Sequence, residues 1–377
     1  MTTKKIFDFI SHNQPATPCL ILDLDVVQEN YEHLNAALPT AEIFYAVKAN
    51  PDPQVLKRLS SLGSCFDTAS VAEIQMAFAA GATAEQISFG NTIKKERDIA
   101  TAFDLGIRLF AVDCIEEVEK IARAAPGSAV FCRILTDGEG AEWPLSRKFG
   151  CVPEMAVSVL SHAHRLGLTA TGVSFHVGSQ QCDLNAWNRA IKEARSIFAK
   201  MEEQGVRLTL LNMGGGFPTR YLKDVPTSAQ YGEAIWSALT DHFGNDVPRI
   251  IIEPGRGMVG SAGVIRSEVV LVSNKADNDN VRWVYLDIGK FGGLAETMDE
   301  AIRYRLRTDK DRDDHSPCIV AGPTCDSADV LYEKNHYPLP VTLKCGDEVL
   351  IEGTGAYTTT YSAVAFNGFE PLRSHVI

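Results

Sequence analysis

Strand-like and helical stretches alternate along the first 260 residues, and this alternation limits the possible folds more than any other feature of the chain. Apolar, β-favouring runs centre on Tyr45, Phe66, Ser88, Ala111, Cys132, Phe175, Leu211 and Ile251. Between them lie amphipathic segments such as Ala72 to Ala80, Ile115 to Ala124, Met155 to Leu166 and Trp187 to Glu203. Another runs from Val26 to Leu38 ahead of the first strand, behind Asp23 and Asp25, either of which can cap it. Repeated βα units bury strands under helices and call for a parallel sheet, placing the chain in the α/β class. Eight of them fit a closed (β/α)8 TIM barrel. An open doubly wound sheet is the competing architecture.

Past Gly260 the texture changes. Val264 to Ser273, Val281 to Leu286, Ser316 to Ala321, Val341 to Leu343 and Glu348 to Glu352 read as strands, predicting a second, mostly β C-terminal domain. The stretch Arg303 to His315 is charged and poor in apolar residues, so it reads as an exposed connection. The expected division is a barrel over 23–260 and a β domain formed by 1–22 with 261–377.

With 377 residues, 45% of them hydrophobic, the chain can bury a large core. Its net charge of -12 disfavours nucleic acid and anionic membranes as partners and suits a small cationic substrate better. No apolar run approaches the roughly 20 residues that span a bilayer, and the start lacks the apolar core of a signal peptide, so a cytoplasmic location is expected. The nine cysteines are scattered without a C-x-x-C pair, which points to neither a disulfide framework nor a metal site.

Reactive residues gather where a barrel would place its chemistry. Lys48 closes the apolar run Ile43-Phe44-Tyr45-Ala46-Val47. A lysine can end a strand merely to reach solvent. Inside a barrel, however, its ammonium would lose hydration, lowering its pKa and freeing the amine to condense with an aldehyde cofactor. Asp67, Gly90, His176, Gly214 to Gly216 and Glu253 fall at the ends of other strands, on the face where such barrels carry their sites. In Asn212-Met213-Gly214-Gly215-Gly216 the bare backbone can approach an anion such as phosphate. Glu253-Pro254-Gly255-Arg256 adds a carboxylate and a guanidinium suited to phosphate oxygens. Ser174-Phe175-His176-Val177-Gly178-Ser179 brings a ring that could stack on a planar cofactor and a hydroxyl.

Gly255 to Gly260 also matches the dinucleotide pattern G-x-G-x-x-G. It is followed by a strand pattern from Ala262 to Ser273 where that fingerprint needs a helix, so a nicotinamide site is disfavoured. In the β region, Gly322-Pro323-Thr324-Cys325-Asp326 sets a thiol beside a carboxylate.

Taken in order, AVKAN, CFDTASVAEI, SFHVGSQ, MGGGFP, EPGR, GPTCDSAD, GAYT and FNGF resemble the fold-type III pyridoxal-phosphate decarboxylases of basic amino acids, from about residue 17 to 370. The resemblance implies an alanine-racemase-like barrel with a β domain, and pyridoxal 5'-phosphate as cofactor. It implies that Lys48 carries the cofactor covalently, that Glu253 faces the pyridine nitrogen and that His176 stacks on the ring. Ser179, Gly215, Gly216, Arg256 and Tyr357 would hold the phosphate, with Gly255 also in the cofactor site and Asp67 and Glu73 in support. Cys325 would be the proton donor after carbon dioxide leaves, and Asp326 would receive the substrate's distal ammonium, a role whose charge pairing presupposes a buried carboxylate. Phe291 and Glu296 would line the substrate, Glu296 as a second acid.

In that family Cys325 and Asp326 serve the opposite subunit's barrel, implying a homodimer with shared active sites. The implied reaction is L-ornithine to putrescine and carbon dioxide in polyamine biosynthesis. Alternatives are a lysine/ornithine decarboxylase, a diaminopimelate decarboxylase and an inactive regulatory homologue. Diaminopimelate enzymes typically carry glutamate after the cysteine, where this chain has Asp326. Eukaryotic members carry an arginine before Leu-Ser, where this chain reads Trp143-Pro144-Leu145-Ser146 in the manner of a short bacterial form.

Overall fold

The computed structural model describes residues 2–143, 148–278 and 280–377. It comprises two compact units, one formed by Gln28–Pro218 with Val225–Met258, the other by the residues before Gln28, Thr219–Asp224 and Val259–Ile377.

In the first unit eight parallel strands close on themselves. They are β1 Ala41–Ala46, β2 Cys65–Thr68, β3 Ile87–Phe89, β4 Leu109–Val112, β5 Ala129–Arg133, β6 Thr169–Ser174, β7 Leu210–Asn212 and β8 Arg249–Ile252. Neighbours in sequence are neighbours in space, and β8 returns to β1 with Ile250 beside Ala41 and Ile252 beside Ile43. Ile43, Phe44, Tyr45 and Ala46 of β1 are all buried, because a barrel strand is covered by helices outside and by packed side chains inside. Phe44, Ala111, Phe131, Leu210 and Ile251 form one apolar cluster drawn from five strands.

The helices follow the amphipathic pattern closely: Leu24–Ala37, Val71–Ala79, Ile115–Ala124, Pro153–Arg165 and Asn185–Glu203 all lie within two residues of their predicted bounds. Local chemistry sets their starts. Ser70 accepts the Glu73 N–H while the Glu73 carboxylate accepts the Ala69 N–H, satisfying backbone donors at the head of Val71–Ala79. Pro153 opens its helix at a position where no N–H is needed. After β8 the chain makes a single turn, Arg256–Val259, a 3-10 turn, and then strand Gly263–Ser273, so the G-x-G-x-x-G match heads no crossover helix.

The second unit holds an eight-stranded sheet. Its path runs Arg305–Arg307, Glu348–Glu352, Gly263–Ser273, Arg282–Leu286, His315–Ala321, Val330–Pro340, while Cys19–Leu22 pairs with both Gly263–Ser273 and Arg373–Val376. Two expectations are corrected here. Val341 to Leu343 is a turn beyond the eleven-residue strand Val330–Pro340, whose polar middle hid it in the sequence. Arg303 to His315 is no mere connection: Tyr304 and Leu306 are buried, and Arg305 and Arg307 project to ion pairs with the buried Glu352. A strand with two apolar and several charged positions is legible only once its charged partner is known. Among the described residues no helix is long and apolar enough to cross a membrane.

Candidate active site

The C-terminal ends of the barrel strands bring one set of polar groups together. Asp67 sits near the end of β2, Arg133 ends β5, Asn212 ends β7, His176 lies two residues beyond β6, Glu253 directly follows β8, and Lys48 lies in the 3-10 turn Val47–Ala49 after β1. Lys48 Nζ stands 3.6 Å from Asp67 Oδ2. Its side chain is 52% exposed, against the expected burial, because it leaves a turn at the open mouth rather than a strand inside the wall. Loss of hydration therefore does not distinguish this amine in the folded chain; its location and its pairing with Asp67 do.

Asp67 is buried and receives a 3.4 Å hydrogen bond from Ser88 Oγ. Gly90 makes room for it, since a Cβ on that residue would fall 1.8 Å from Asp67 Oδ1. Asn212 donates from Nδ2 to Glu253 Oε1 at 2.5 Å and accepts the Gly214 N–H at 2.9 Å, tying the glutamate to the glycine turn. The Glu253 N–H in turn donates to the Gly214 carbonyl at 2.7 Å. Burial pushes the Glu253 carboxyl up to about 7; the Asp67 charge adds to that rise, and Asn212, Lys48 and Arg133 oppose it. Burial raises Asp67 as well, against the pull of Lys48 and Arg133. Glu73 is also raised by burial, and its carboxylate is engaged in capping the helix that follows Asp67.

His176 accepts the Gly178 N–H at Nδ1, at 3.0 Å, which leaves the proton on Nε2. Burial first, then the charges of Arg133 and Lys48, hold its pKa well below the ordinary imidazole value, so the ring is neutral near pH 7. Arg133 and Asn212 are site residues that sequence reasoning missed. Arg133 gave the same signal as Lys48, a lone cation ending the apolar run Ala129-Val130-Phe131-Cys132, and burial now sets it among the charges of Glu253, Asp67 and Asp113. Asn212 opens the glycine motif, but nothing in the sequence marks its amide as a partner for Glu253.

A second cluster lies beside the first. Arg256 is buried, and its Nε and one terminal nitrogen donate to Ser179 Oγ at 3.3 and 3.2 Å. Gly215 and Gly216 border it with bare backbone: a Cβ on Gly215 would fall 2.6 Å from the Glu253 carbonyl and 3.2 Å from His176 Nε2, and one on Gly216 would fall 2.7 Å from the Gly178 carbonyl. Gly255 begins the turn that carries Arg256. Gln181 braces these loops, donating from its backbone to Gly216, from its side chain to Val177, and accepting from the Tyr231 hydroxyl.

The remaining expected residues belong to the β unit. Cys325 and Asp326 are exposed on a turn. The Cys325 N–H and Sγ both approach Asn367 Oδ1, at 3.1 and 3.4 Å, and Asp326 Oδ1 accepts the Ala328 N–H at 2.8 Å. The expectation that Asp326 is a buried carboxylate fails within a single chain, because the turn presents it outward. The buried acid of this loop is Asp329, which accepts from Lys290 N, Thr324 N and Thr324 Oγ1 and leaves no room for a Cβ on Gly289 or Gly322. Phe291 packs on Phe366 with ring centres 4.9 Å apart. Glu296 is buried in a 3-10 turn, and Tyr357 adopts a left-handed φ of 55° with its ring 5.9 Å from that of Tyr361. Pro144, Leu145 and Ser146, with the Trp143 side chain, lie outside the described residues.

Residues 24–260 match the family model of the pyridoxal-dependent decarboxylases, pyridoxal binding domain. The chain belongs to the pyridoxal-dependent decarboxylases. This decarboxylase is 37% identical over 354 residues to the lysine/ornithine decarboxylase of Selenomonas ruminantium, covering 94% of this chain and 88% of that one. It is 34% identical to the ornithine decarboxylase of Schizosaccharomyces pombe, covering 94% and 82%. Among solved structures, the lysine/ornithine decarboxylase of Vibrio vulnificus complexed with cadaverine superposes with a TM-score of 0.89 at 31% identity, covering both chains fully.

The residues present fit the family's cofactor, pyridoxal phosphate. Its dianionic phosphate needs cationic and hydroxyl donors beside backbone free of side chains, and the buried Arg256, Ser179 and the Gly215–Gly216 turn supply them. Its aldehyde needs an accessible amine, and Lys48 offers one at the mouth of the barrel.

Proposed function

We propose that this decarboxylase converts L-ornithine to putrescine and carbon dioxide. In this reading Lys48 holds pyridoxal 5'-phosphate covalently, Ser179, Gly215, Gly216, Gly255, Arg256 and Tyr357 hold its phosphate, and Glu253, Asp67 and His176 flank its ring. When bound, the cofactor supplies an electron sink for the pair of electrons left when the carboxylate departs. Glu253, fixed by Asn212, would face the ring nitrogen and keep it protonated, and neutral His176 would pack on the ring without adding a second positive charge. Before the cofactor is attached, Asp67 holds the Lys48 ammonium in place.

The observation that carries the substrate reading is Asp326, next to Cys325 on a loop pinned by buried Asp329. Both residues are exposed in a single chain, which supports a homodimer in which each loop enters the partner's barrel. There the Asp326 carboxylate pairs with the substrate's distal ammonium, and Cys325 Sγ delivers the proton to the carbon that lost carbon dioxide. Phe291 and Glu296 complete the substrate surroundings in this reading. Diaminopimelate is disfavoured in this reading, because the carboxylate beside its distal ammonium would be set against Asp326.

Turnover on lysine as well is favoured by the 37% identity to a lysine/ornithine decarboxylase. One methylene changes binding by only about 1 to 3 kcal/mol. Carbon dioxide release from ornithine, lysine, arginine and diaminopimelate, compared as kcat/KM, tests the proposal; lysine ahead of ornithine by tenfold would sink the ornithine assignment. Borohydride reduction followed by peptide mapping should find the cofactor on Lys48, and Lys48→Ala should lose this adduct together with at least about a hundredfold in kcat.

A further inference from the structure

A buried ion pair lies behind the strand that faces Asp67. Lys94 has no exposed side-chain surface, and its Nζ donates to the Asn91 and Ala111 carbonyls, each at 2.7 Å, while pairing with Glu117 Oε1 at 3.1 Å. Glu117 is itself 3% exposed and shares its other oxygen with Lys120, whose Nζ also donates to the Lys94 carbonyl. The Phe89 ring lies 5.5 Å from the ammonium, and Asp113 adds a further negative charge nearby. None of these groups takes part in the chemistry assigned above. Burying two charges is costly and is tolerated where their partners fix a specific geometry.

What they fix is the turn Gly90 to Lys94. The Asn91 carbonyl held by Lys94 belongs to the residue directly after Gly90, and Gly90 is the residue whose bare Cα abuts Asp67 Oδ1. The Gly90 N–H donates to the Thr68 carbonyl at 2.9 Å, so the same turn is tied to the strand that carries Asp67. A displacement of this backbone by a few tenths of an ångström would meet the carboxylate, because packed interiors transmit such shifts.

We propose that Lys94 is a positioning residue for Asp67, acting through the Gly90–Asn91 backbone that its ammonium holds between β3 and β4. Lys94 thereby sets the approach of Asp67 to Lys48 without touching substrate or cofactor. The functional meaning rests on the assignment of Lys48 and Asp67 to the cofactor site, but the geometry does not.

The test uses the full chain without cofactor, so that its outcome is independent of which amino acid is decarboxylated. The Asp67 carboxyl is followed by carbon NMR with labelled aspartate across pH. Lys94→Met should move the Asp67 titration by at least about half a pH unit. Glu117→Gln, which keeps Lys94 and its two carbonyl bonds, should move it by less. If Lys94→Met fails to fold, the double substitution Lys94→Met with Glu117→Gln removes the orphaned carboxylate and should show the same shift. Burial lowers the Lys94 pKa to about 8, so in the unaltered protein the Asp67 signal should also show an inflection near that pH that is lost in both Lys94 variants, which separates it from the titration of Glu253. An Asp67 titration unchanged in folded Lys94→Met, or in the folded double variant, would overturn the proposal. Loss of the Lys48 adduct in borohydride mapping would overturn the cofactor assignment and leave the coupling of Lys94 to Asp67 intact.

Discussion

Gly90 and Asp67 compete for the same space, so the smallest side chain beyond glycine decides whether the carboxylate can stand where it does. Gly90→Ala should displace Asp67 from Lys48, lowering kcat/KM about tenfold or more and destabilising the fold by roughly 1 to 3 kcal/mol through overpacking; steady-state kinetics and urea unfolding measure the two. Glu253 offers a prediction in pH. Its folded pKa of about 7 stands above the ordinary 4.5, so between these values the native chain keeps a proton that the unfolded chain has released. Its contribution to stability in the cofactor-free protein therefore falls as pH rises from about 4.5 to about 7. Glu253→Gln should flatten that slope in urea unfolding. At this scale the sequence was informative where a residue type was out of keeping with its surroundings, as with Lys48 after five apolar residues. It was silent where the meaning lies in a partner: Arg133 ends its run in the same manner, yet only the fold shows the acids around it. The degree of exposure of Lys48 was likewise unreadable, since one turn at the barrel mouth separates a hydrated amine from a dry one.

Elements with a regular period were legible and those held by side chains were not. Each barrel strand reads as an apolar run because both its faces are covered, and its helices read through their amphipathic spacing. Strand Val330–Pro340 escaped because Glu333-Lys334-Asn335-His336 interrupts it with exposed polar residues. That stretch is held from outside the sheet by Glu300, whose carboxylate accepts the Asn335 side-chain amide and the N–H groups of Glu333, Lys334 and Asn335, and pairs with Arg303. Burial works to raise the Glu300 pKa, but these donors outweigh it and the net effect is a lowering. Its stabilising contribution is therefore present above the ordinary glutamate range and lost as pH falls through and below it. Glu300→Ala should destabilise the protein by roughly 1 to 2 kcal/mol at neutral pH, because water only partly replaces its bonds to these exposed backbone donors, and the difference from the unaltered chain should shrink on acidification. Urea unfolding at pH 7 and pH 4 checks both parts.

For the molecule as a whole, the proposed division of the chemistry between a barrel and another subunit's loop makes activity a property of pairs. Lys48→Ala and Cys325→Ala should each be nearly inactive alone. Mixed and allowed to exchange subunits, half of the dimers would carry one intact site of two, restoring about a quarter of the unaltered protein's activity. No recovery, with exchange verified by mass spectrometry, would place all the groups within one chain. The half-exposed amine of Lys48 has a consequence of another kind. On the proposed assignment of Lys48, a side chain already half exposed in the folded polypeptide lets the coenzyme be captured after folding is complete. The share of working catalyst in a cell would then follow vitamin B6 supply by mass action, and each captured molecule would raise the resistance of its host to heat and proteases in proportion to the logarithm of its concentration over its dissociation constant.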